Sequence, residues 1–580
     1  MNSARDLLAE LTSLGVRLAV SEDGRLRVSA TRGQLSPEIK DTIAANKAAL
    51  VDLLMHGSPA IVSAIPRLSQ DGDVPLSFFQ ERLWVLHRLD PTNTAYNIVT
   101  VVTSPQPVAM QQVSDGLREI LRRHAVLRSV VTDVNGVPQA KAVDPAMVPV
   151  QIVEWSERLE SEGQKAIEQA TRQAFDLSHD LPIRFSLCQL PDGRVVILVI
   201  AHHIAVDAWS MQVLKREIDA VFAGRLAELP EPAVQYADYA AWQRASFDER
   251  TISAPLDWWA ERLKGAPPVS TFPPDLTGRN QALGLTREFM LSAEVSSGVR
   301  ALAREEGVTV YMTLVAACAA ALHFHTGQGD LVLGSPMGFR ERPELESVIG
   351  PFVNLLALRI DISDDPTFVD LLARARMSVL DAHEHRDVPF EKLVERINPV
   401  RSLDHGPLIQ VAIVQHTANA GETLRLDSGG AIFDVMWVVR DHDGKLQGGL
   451  EFRADRYSEA AIASIAARFE AILTAAVTHR HERLSAMPFL LERERQQVLT
   501  TFNDTERPRP HESFASRFAR QAAATPDLTA IVCAGESLSY EALNRRANQL
   551  ARYLSGCGIG PGGFVGVHVP STLDLVVALI

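Results

Sequence analysis

The stretch that decides the fold is RVVILVIAHHIAVDAWS, residues 194–210. Its first eight residues are apolar almost throughout, which indicates a buried strand. Two adjacent histidines, His202 and His203, follow where that strand ends, and Asp207 comes four residues after the second. Functional groups of α/β proteins commonly lie at such strand ends, so this stretch is also the first candidate for chemistry.

The two histidines cannot share one role. Adjacent residues of an extended chain point to opposite faces, so only one of them faces any given cavity and the other is packed or hydrogen-bonded inside. The same geometry disfavours a metal site, because His-His-x3-Asp does not present three ligands to one ion as His-x3-His on a helix does. The residues alone leave two interpretations open, a catalytic histidine or a structural pair.

Length and composition set the frame around this stretch. The chain has 580 residues, which corresponds to about four domains. Hydrophobic residues make up 46% and charged residues 22%, which is typical of globular proteins and excludes wholesale disorder. The net charge of −14 disfavours nucleic acid as a partner, because an acidic surface repels phosphates.

Apolar runs, the N-terminal residues and the cysteines predict where in the cell the protein is found. No apolar run approaches the roughly 20 residues that span a bilayer, and residues 1–15 do not read as a secretory signal. The four cysteines are too scattered for a disulfide framework or a zinc knuckle. We therefore expect a cytoplasmic protein without a membrane partner or a bound metal.

Residues 74–490 carry a mixed α/β pattern. The periodicity predicts helices at 110–124, 297–325 and 458–478 and strands at 194–201 and 351–360. This length exceeds what one core supports, so we expect two lobes, 74–255 and 256–490, with the break within 245–275, a stretch that contains a cluster of prolines.

Residues 1–56 form a separate small domain in this interpretation. Helical spacing at 3–14 precedes a hairpin whose turn is Asp23-Gly24, and two helices follow, one capped by Ser36 and one at 46–55. An αββαα domain of this size has a marginal core, so dimerisation or partner binding would help to stabilise it. Residues 57–73 are predicted to be a linker.

The C-terminal part begins with a second linker at 491–510. Residues 511–580 then show a helix, a strand and a helix, which is typical of the start of a further α/β domain. The sequence ends in an apolar pattern without a helix cap, so we expect this segment to be the beginning of a longer domain.

Several sequence motifs, and the order in which they follow one another, carry more information than single residues. HHxxxD followed by Trp-Ser resembles the core motif of the condensation domains of nonribosomal peptide synthetases. Matching motifs flank it in the family's order: LSFFQERLW (76–84), RRHAVLRSV (122–130), YADYAAW (236–242), IGPFVNLLALR (349–359), HRDVPFEKLV (385–394) and RSLDHGPLIQV (401–411). Two departures stand out, Phe79 in place of a small residue and Ala125 in place of an acid.

The resemblance implies a fold and a domain order. The fold class would be α/β (α+β), with two lobes similar to chloramphenicol acetyltransferase that form a V around a tunnel. Residues 1–56 resemble the small TubC-like docking domains found at the N-termini of synthetase proteins. LSYEALN (538–544) resembles the opening of an adenylation domain, so 511–580 would be its N-terminal fragment.

The resemblance also implies a reaction. An acyl or peptidyl group would pass from an upstream carrier-protein thioester to the amine of an aminoacyl thioester on a downstream carrier, forming an amide bond. The 4′-phosphopantetheine would arrive on these partner carriers, and this chain would bind no cofactor itself. Further expected partners are the C-terminal docking peptide of an upstream synthetase and the rest of the adenylation domain.

Site residues follow by position in the motifs. His203 would orient the amine and relay its proton, while His202 would face inward. Asp207 would form a buried ion pair with Arg340, the first candidate, or with Arg184, the second. A role for Asp207 in orienting His203 stays open.

Other candidates carry weaker signals. Ala208 replaces the family's glycine, and its N–H could donate to an oxyanion, although alanine would tolerate a positive φ poorly. Ser210, Gln415 and Asn354 are further candidates for an oxyanion site or the tunnel. For Asn354 the alternative is that it holds a strand or loop at the lobe junction by hydrogen bonds. The expected core aromatics are Trp209, Trp242 and Phe352. The arginines that could receive an acidic peptide added as a strand to the docking hairpin are Arg17, Arg25 and Arg27.

Three alternative functions remain at this point. A starter-type or ester-forming condensation domain would share the motifs. An epimerisation domain shares HHxxxD, but PFVNLLALR and HRDVPFE resemble condensation domains more closely. A catalytically silent platform that recruits carriers or other enzymes is the alternative from a different class, and the presence of His203 counts against it.

Overall fold

The structure is a computed structural model. It describes residues 16–20, 26–30, 43, 47, 65–68, 74–145, 150–152, 167, 169–247, 249–277, 284–340, 342–399, 405–416, 430–488, 490–507, 511–570 and 572–580. The chain divides into two compact units, residues 1–491 and 492–580.

The predicted hairpin near the N-terminus is confirmed. Strand β1 (Val16–Val20) pairs antiparallel with β2 (Leu26–Ala30). Arg17 lies on the first strand, opposite Ser29, and Arg27 lies on the second, opposite Ala19. Apart from residues 43 and 47, which are helical, the helices predicted for this domain lie outside the described residues, as does Arg25.

The first lobe of the larger unit contains two sheets. Its strands are β3 (Val74–Pro75), β4 (Asn97–Thr103), β5 (Ser129–Val134), β6 (Val137–Ala142), β7 (Gln151–Ile152), β8 (Ile183–Gln189) and β9 (Val195–His202). Its helices are α1 (Phe78–Leu89), α2 (Met110–Arg123), α3 (Ala208–Phe222) and α4 (Tyr236–Ser246). Helix α5 (Glu249–Arg262) follows, and its Trp259 lies in the core of the second lobe. The larger sheet has the order β4-β9-β8-β7, and the smaller has the order β3-β6-β5.

Strand β9 lies inside its sheet because its sequence is apolar on both faces. Val195, Ile197 and Val199 are fully buried, and the residues between them are half-buried. Antiparallel neighbours flank the strand on both sides, and α2 and α3 contribute buried side chains to the same core. The strand predicted at 194–201 and the helix predicted at 110–124 are therefore confirmed.

The second lobe is built on one six-stranded sheet. Its strands are β10 (Gly284–Met290), β11 (Asp330–Gly338), β12 (Val353–Asp361), β13 (Val411–His416), β14 (Val435–His442) and β15 (Lys445–Arg453). Its helices are α6 (Ala293–Glu305), α7 (Val310–Thr326), α8 (Phe368–Glu384), α9 (Phe390–Ile397) and α10 (Glu459–His479). The order is β10-β15-β14-β13-β11-β12, in which β11, β13 and β14 run parallel and the other neighbours antiparallel.

The helix predicted at 297–325 is wrong as a single element. Two helices, α6 and α7, occupy this region and are bent by 108° relative to each other. The bend lies where Gly307 takes a φ of +64°, a conformation that ends a helix, and the Thr309 side chain then caps the next one. The predicted strand at 351–360 and helix at 458–478 are confirmed.

Helix α10 is apolar for a reason visible in its packing. By length and composition it could cross a membrane, with a mean hydropathy of 1.6, as could α6 and α7 taken together across their bend. However, Ile462, Phe469 and Leu473 of α10 lie in the core of the second lobe, with exposures of at most 1%. The composition of α10 is that of a helix packed on a sheet.

One segment of the second lobe's chain contributes to the core of the first lobe. The connection from β11 to β12 belongs to the second lobe by sequence, yet it places four side chains in the core of the first. These side chains are Leu345, Val348, Ile349 and Phe352, each 1% exposed. Helix α5 also runs through Pro255 without a break. The lobe limits 74–255 and 256–490 therefore stay a prediction.

The smaller unit contains α11 (Glu492–Gln496), α12 (Phe514–Ala524), β16 (Thr529–Cys533), β17 (Glu536–Ser539), α13 (Tyr540–Gly556) and α14 (Leu573–Leu579). The two strands form an antiparallel hairpin, and Ser539 caps α13. The helix, strand and helix predicted after the second linker are confirmed.

Candidate functional site

The candidate site is the turn that joins β9 to α3. The backbone N–H of His203 donates to the Tyr96 carbonyl at 2.8 Å, which ties the turn to the start of β4. The N–H of Ala205 donates to the His202 carbonyl at 2.9 Å and closes the turn. His203 is half-buried, and its ring meets the Phe79 ring edge-on with centroids 5.4 Å apart.

His202 lies on the interior side of the turn and is 5% exposed. Its Nδ1 accepts the N–H of Ile204 at 3.1 Å, an arrangement that requires this nitrogen to be unprotonated. The rings of Tyr96 and Phe175 lie 6.2 and 5.9 Å from it. Burial, reinforced by nearby His203, lowers the pKa of His202 to about 3, so the ring is neutral and supports the turn.

This neutral imidazole predicts a dependence of stability on pH. His202 takes up a proton near pH 6.5 in the unfolded chain but only near pH 3 when folded, so its contribution is complete above 6.5 and falls with decreasing pH. Urea denaturation should show about 1.4 kcal/mol lost per pH unit below that point from this group. His202→Asn, whose Oδ1 can still accept the Ile204 N–H, should have a shallower slope. Equal slopes in both proteins would contradict the assignment.

Asp207 begins α3 and is buried, with 2% exposure. Its carboxylate caps the helix by accepting the Ser210 N–H at 2.6 Å. It also accepts from Arg340 Nη2 at 2.9 Å and from the Phe352 N–H at 2.9 Å. These three donors come from both lobes, so the carboxylate fixes the end of the histidine turn to the β11–β12 connection.

Arg340 is the partner of Asp207 in the structure. Its Nη1 donates to the carbonyls of Leu345 and Val348 at 2.7 and 2.5 Å, and its guanidinium lies 4.1 Å from the centre of the Phe352 ring. Burial lowers the pKa of Arg340, and Asp207 opposes that shift. The arginine thus organises the connection that enters the first lobe.

Arg184, the second candidate partner of Asp207, has different contacts. It pairs with Asp180 at 3.0 Å and donates to the carbonyls of Gln173 and Ala174 at 3.0 and 2.8 Å. Its guanidinium lies 3.8 Å from the centre of the Phe175 ring. Its position on β8 satisfies it locally, and the expectation of a pair with Asp207 is corrected.

Two residues proposed for an oxyanion site or tunnel have structural contacts. Ser210 is fully buried, and its hydroxyl donates to the Gly350 carbonyl at 2.7 Å and accepts the Gly350 N–H at 2.9 Å. Asn354 donates from Nδ2 to the carbonyls of Arg386 and Val388, both at 2.7 Å. Ser210 is committed to Gly350, so its place at an oxyanion site or tunnel is corrected. Asn354 bonds as expected of a residue that holds a strand or loop, and a place for it in the tunnel stays a prediction.

Ala208 and Trp209 open α3 on its exposed side. Ala208 has helical backbone angles and no positive φ, so the strain expected of alanine at a glycine position does not arise. The prediction that Trp209 lies in the core is wrong. It is 47% exposed, because its indole lies on the outer side of the helix start and donates to the Glu346 carbonyl at 2.9 Å. Trp242 and Phe352 are buried as expected.

Gln415 lies on β13, three residues beyond Ala412, the position at which this strand pairs with β11. The Phe339 N–H donates to the carbonyl of Phe352, the residue before β12. Since successive backbone N–H groups of a strand point to opposite neighbours, the nitrogen of Pro336 faces β13, but proline has no hydrogen to donate there. The Ile413 carbonyl accepts instead from the Tyr311 hydroxyl at 3.3 Å. Gln415 is half-buried, and its role in a tunnel stays a prediction.

Sequence reasoning missed two residues that hold the turn. Gln80 donates from Nε2 to the Ile204 carbonyl at 3.0 Å, and Tyr96 acts through its backbone carbonyl. Gln80 lies inside the LSFFQERLW motif, so the motif could have marked it. A contact made by a carbonyl leaves no trace in the residue type, so Tyr96 could not be found that way.

A buried charged cluster supports α3 from the other side. Glu217, on α3, lies 3.1 Å from Nε2 of His124 and accepts from Arg123 Nη2 at 3.3 Å. The motif at 122–130 contains both basic residues, but nothing in the sequence marked Glu217. Within the described ranges no three His, Cys, Asp or Glu side chains are placed to hold a metal ion.

Comparisons with protein families divide the chain as follows. Residues 70–499 match the model of the condensation domain, residues 518–580 that of the AMP-binding enzymes, and residues 5–55 that of the TubC N-terminal docking domain.

Curated relatives are synthetases much longer than this chain. Malpinin synthetase of Mortierella alpina is 33% identical over 538 residues, which cover 90% of this chain and 7% of that protein. Phosphinothricin tripeptide synthetase PhsC of Streptomyces viridochromogenes is 34% identical over 546 residues, covering 90% and 50%. The chain thus spans half or less of each of these relatives.

Solved structures share the fold. A four-domain nonribosomal peptide synthetase bound to AMP and glycine matches with a TM-score of 0.73 and 22% identity, covering 85% of this chain and 39% of that one. The X-domain in complex with OxyB from teicoplanin biosynthesis matches with a TM-score of 0.67 and 26% identity, covering 74% and 98%.

Proposed function

Because the chain belongs to the condensation-domain family of nonribosomal peptide synthetases, we propose that residues 74–490 form an amide bond between two carrier-bound substrates. The donor would be an acyl or peptidyl thioester on an upstream carrier, and the acceptor an aminoacyl thioester on a downstream one. The observation that carries the proposal is a half-buried His203 on a turn that both lobes hold in place.

The chemistry needs little beyond positioning. The acceptor amine attacks the donor thioester carbonyl, the new C–N bond forms, the C–S bond breaks, and the thiol leaves on the upstream carrier. Holding two reactants in a productive geometry can supply about 7–11 kcal/mol. The phosphopantetheine arms of the partner carriers would supply both thioesters.

His203 would act on the amine in this scheme. An imidazole that accepts a hydrogen bond from the amine orients its lone pair and can take its proton as the C–N bond forms. His202 next to it is neutral, so it contributes no positive charge that would oppose proton uptake by its neighbour. Asp207 and Arg340 would act indirectly, as positioning residues that fix the turn.

One observation favours a second candidate function. The X-domain, which shares the fold at 26% identity, was solved in complex with OxyB, so a protein with this fold binds another protein. A silent platform that recruits an enzyme is therefore kept as the alternative. Starter-type and ester-forming reactions differ from the proposal only in donor or acceptor chemistry.

A reconstitution separates these possibilities. The 580-residue chain is mixed with one donor-loaded and one acceptor-loaded carrier, and products are followed by mass spectrometry. We expect an amide on the acceptor carrier. Carrier binding without product from any pair of substrates would favour the platform, and product only from hydroxyacyl acceptors would favour ester formation.

The N-terminal hairpin would receive the upstream synthetase in a cytoplasmic assembly. We expect an acidic C-terminal peptide to add as a strand beside β1 or β2, with Arg17, Arg25 and Arg27 providing charge. Reversing Arg25 and Arg27 to glutamate should weaken binding several-fold at low salt and less at high salt, measured by calorimetry. Lys445→Glu, at the exposed first residue of β15 in the second lobe, is the control. Unchanged affinity would remove the hairpin charges from the interface.

A further inference from the structure

Helix α1 is fixed to the histidine turn at its first residues. Ser77 caps the helix and forms a reciprocal capping box with Gln80, with distances of 3.2 and 3.1 Å. The amide of Gln80 then donates to the carbonyl of Ile204, the residue directly after His203, at 3.0 Å. The start of the helix therefore cannot shift independently of the turn.

The residue before Phe79 provides a second anchor. The Phe78 N–H donates to Gln243 on α4 at 3.1 Å, and the Phe78 ring is 5% exposed. The guanidinium of Arg244 lies 4.2 Å from the centre of that ring. Both neighbours of Phe79 are thus held by buried contacts, and its backbone has a fixed place relative to His203.

The Phe79 ring lies beside the imidazole of His203. The ring centroids are 5.4 Å apart with an interplanar angle of 60°, and both side chains are half-buried. A methyl group at this position would end close to the helix, whereas the phenyl ring reaches the imidazole. The ring therefore occupies space that a small residue would leave open at His203.

The same face of α1 continues with Arg82, three residues on. Its guanidinium lies 3.7 Å from the Glu391 carboxylate, on α9 of the second lobe, and 5.2 Å from the centre of the Phe390 ring. Residues three apart on a helix are neighbours on its surface. The helix that carries Phe79 is therefore also held to the second lobe, through this ion pair.

We propose that Phe79 is a specificity-determining residue that restricts the acceptor to aminoacyl groups with small side chains, an inference that rests on the proposed function. An amine within hydrogen-bond reach of His203 lies about 3 Å from the ring nitrogen. Its α-carbon and side chain then come into van der Waals range of the phenyl ring. Glycyl and alanyl acceptors fit beside the ring, whereas leucyl and phenylalanyl acceptors compete with it for space.

The test compares acceptors of increasing size on one carrier with a fixed donor. We expect the wild-type chain to prefer glycyl or alanyl over leucyl and phenylalanyl acceptors by at least tenfold in kcat/KM, within the scale that pocket size sets in enzymes, about 10–200-fold. Phe79→Ala should lower that ratio at least tenfold by raising the rate with the large acceptors. Phe79→Leu should be intermediate. The control is Val85→Ala, at a 51% exposed position of the same helix.

The outcomes separate this inference from the proposed function. Three results would each overturn the inference. The first is an unchanged kcat/KM ratio of small to large acceptors in Phe79→Ala, and the second is equal use of all acceptors by the wild type. The third is an effect of Phe79→Ala that appears only when donors are varied against a glycyl acceptor. If no pair of donor and acceptor gives an amide, the proposed function fails, and the inference about Phe79 is then tested by the binding of acceptor groups alone. Glycyl- and leucyl-pantetheine would then be titrated by calorimetry: a preference for glycyl that Phe79→Ala abolishes supports it, and no preference overturns it.

Discussion

Replacing His203 by alanine should lower the rate of amide formation at least tenfold, and by up to about 10⁴-fold if the imidazole acts as a general base. The half-buried ring lies on a turn whose backbone is held by Tyr96, and its truncation removes none of the described contacts that hold Asp207. The fold should therefore survive. Single-turnover rates with preloaded carriers measure the effect without interference from product release.

Controls and a second variant sharpen that experiment. His203→Gln can still accept a hydrogen bond but cannot take a proton at neutral pH, so substantial activity in it would assign positioning rather than base catalysis. His179→Ala removes an exposed histidine of the same lobe, with 82% side-chain exposure, and should leave the rate unchanged. Carrier affinity should persist in all three proteins. Wild-type turnover in His203→Ala would refute any role for this residue.

The second large effect concerns stability. Asp207→Ala should reduce the free energy of unfolding by about 3–5 kcal/mol, because Arg340 would keep its buried charge without a partner. The side chains of the pair are only 3% and 6% exposed, so bulk water does not solvate either charge in the intact protein. The N–H groups of Ser210 and Phe352 would lose their acceptor as well. Urea denaturation monitored by tryptophan fluorescence measures the loss.

A matched exposed pair and a double variant test the cause. Asp180→Ala breaks the pair with Arg184, which is partly exposed, and should cost about 1 kcal/mol or less. Asp207→Ala combined with Arg340→Leu should be less destabilised than the sum of the two single variants, since no unpaired charge remains. A loss below about 1 kcal/mol in Asp207→Ala would show that the pair is not the support that its burial indicates.

The sequence could predict elements whose pattern is local. The run from 194 to 201 is apolar enough to specify a buried strand, and Asp23-Gly24 specifies a hairpin wherever it is flanked by alternating residues. The single helix predicted at 297–325 is wrong for an equally local reason, because one glycine, Gly307, ends the first helix within an otherwise helical pattern.

Contacts between distant segments could not be predicted in the same way. Ser210 looks like a residue beside an active site in sequence, and only the approach of Gly350 from another part of the chain shows that its hydroxyl is already committed. Large aromatics are usually buried, which favours the core for Trp209, but its place on α3 is decided by which face the helix presents. Glu217 belongs to no recognised motif, although it lies in a buried cluster.

The β11–β12 connection that completes the first lobe has a consequence for biosynthesis. A ribosome that has made the chain as far as residue 246 has produced every strand and helix of that lobe, yet its interior still lacks Leu345, Val348, Ile349 and Phe352. The nascent lobe would expose an apolar cavity until about one hundred further residues emerge. The first lobe is thus synthesised before the second but cannot complete its core until part of the second has been made. A chaperone would have its greatest effect in that interval.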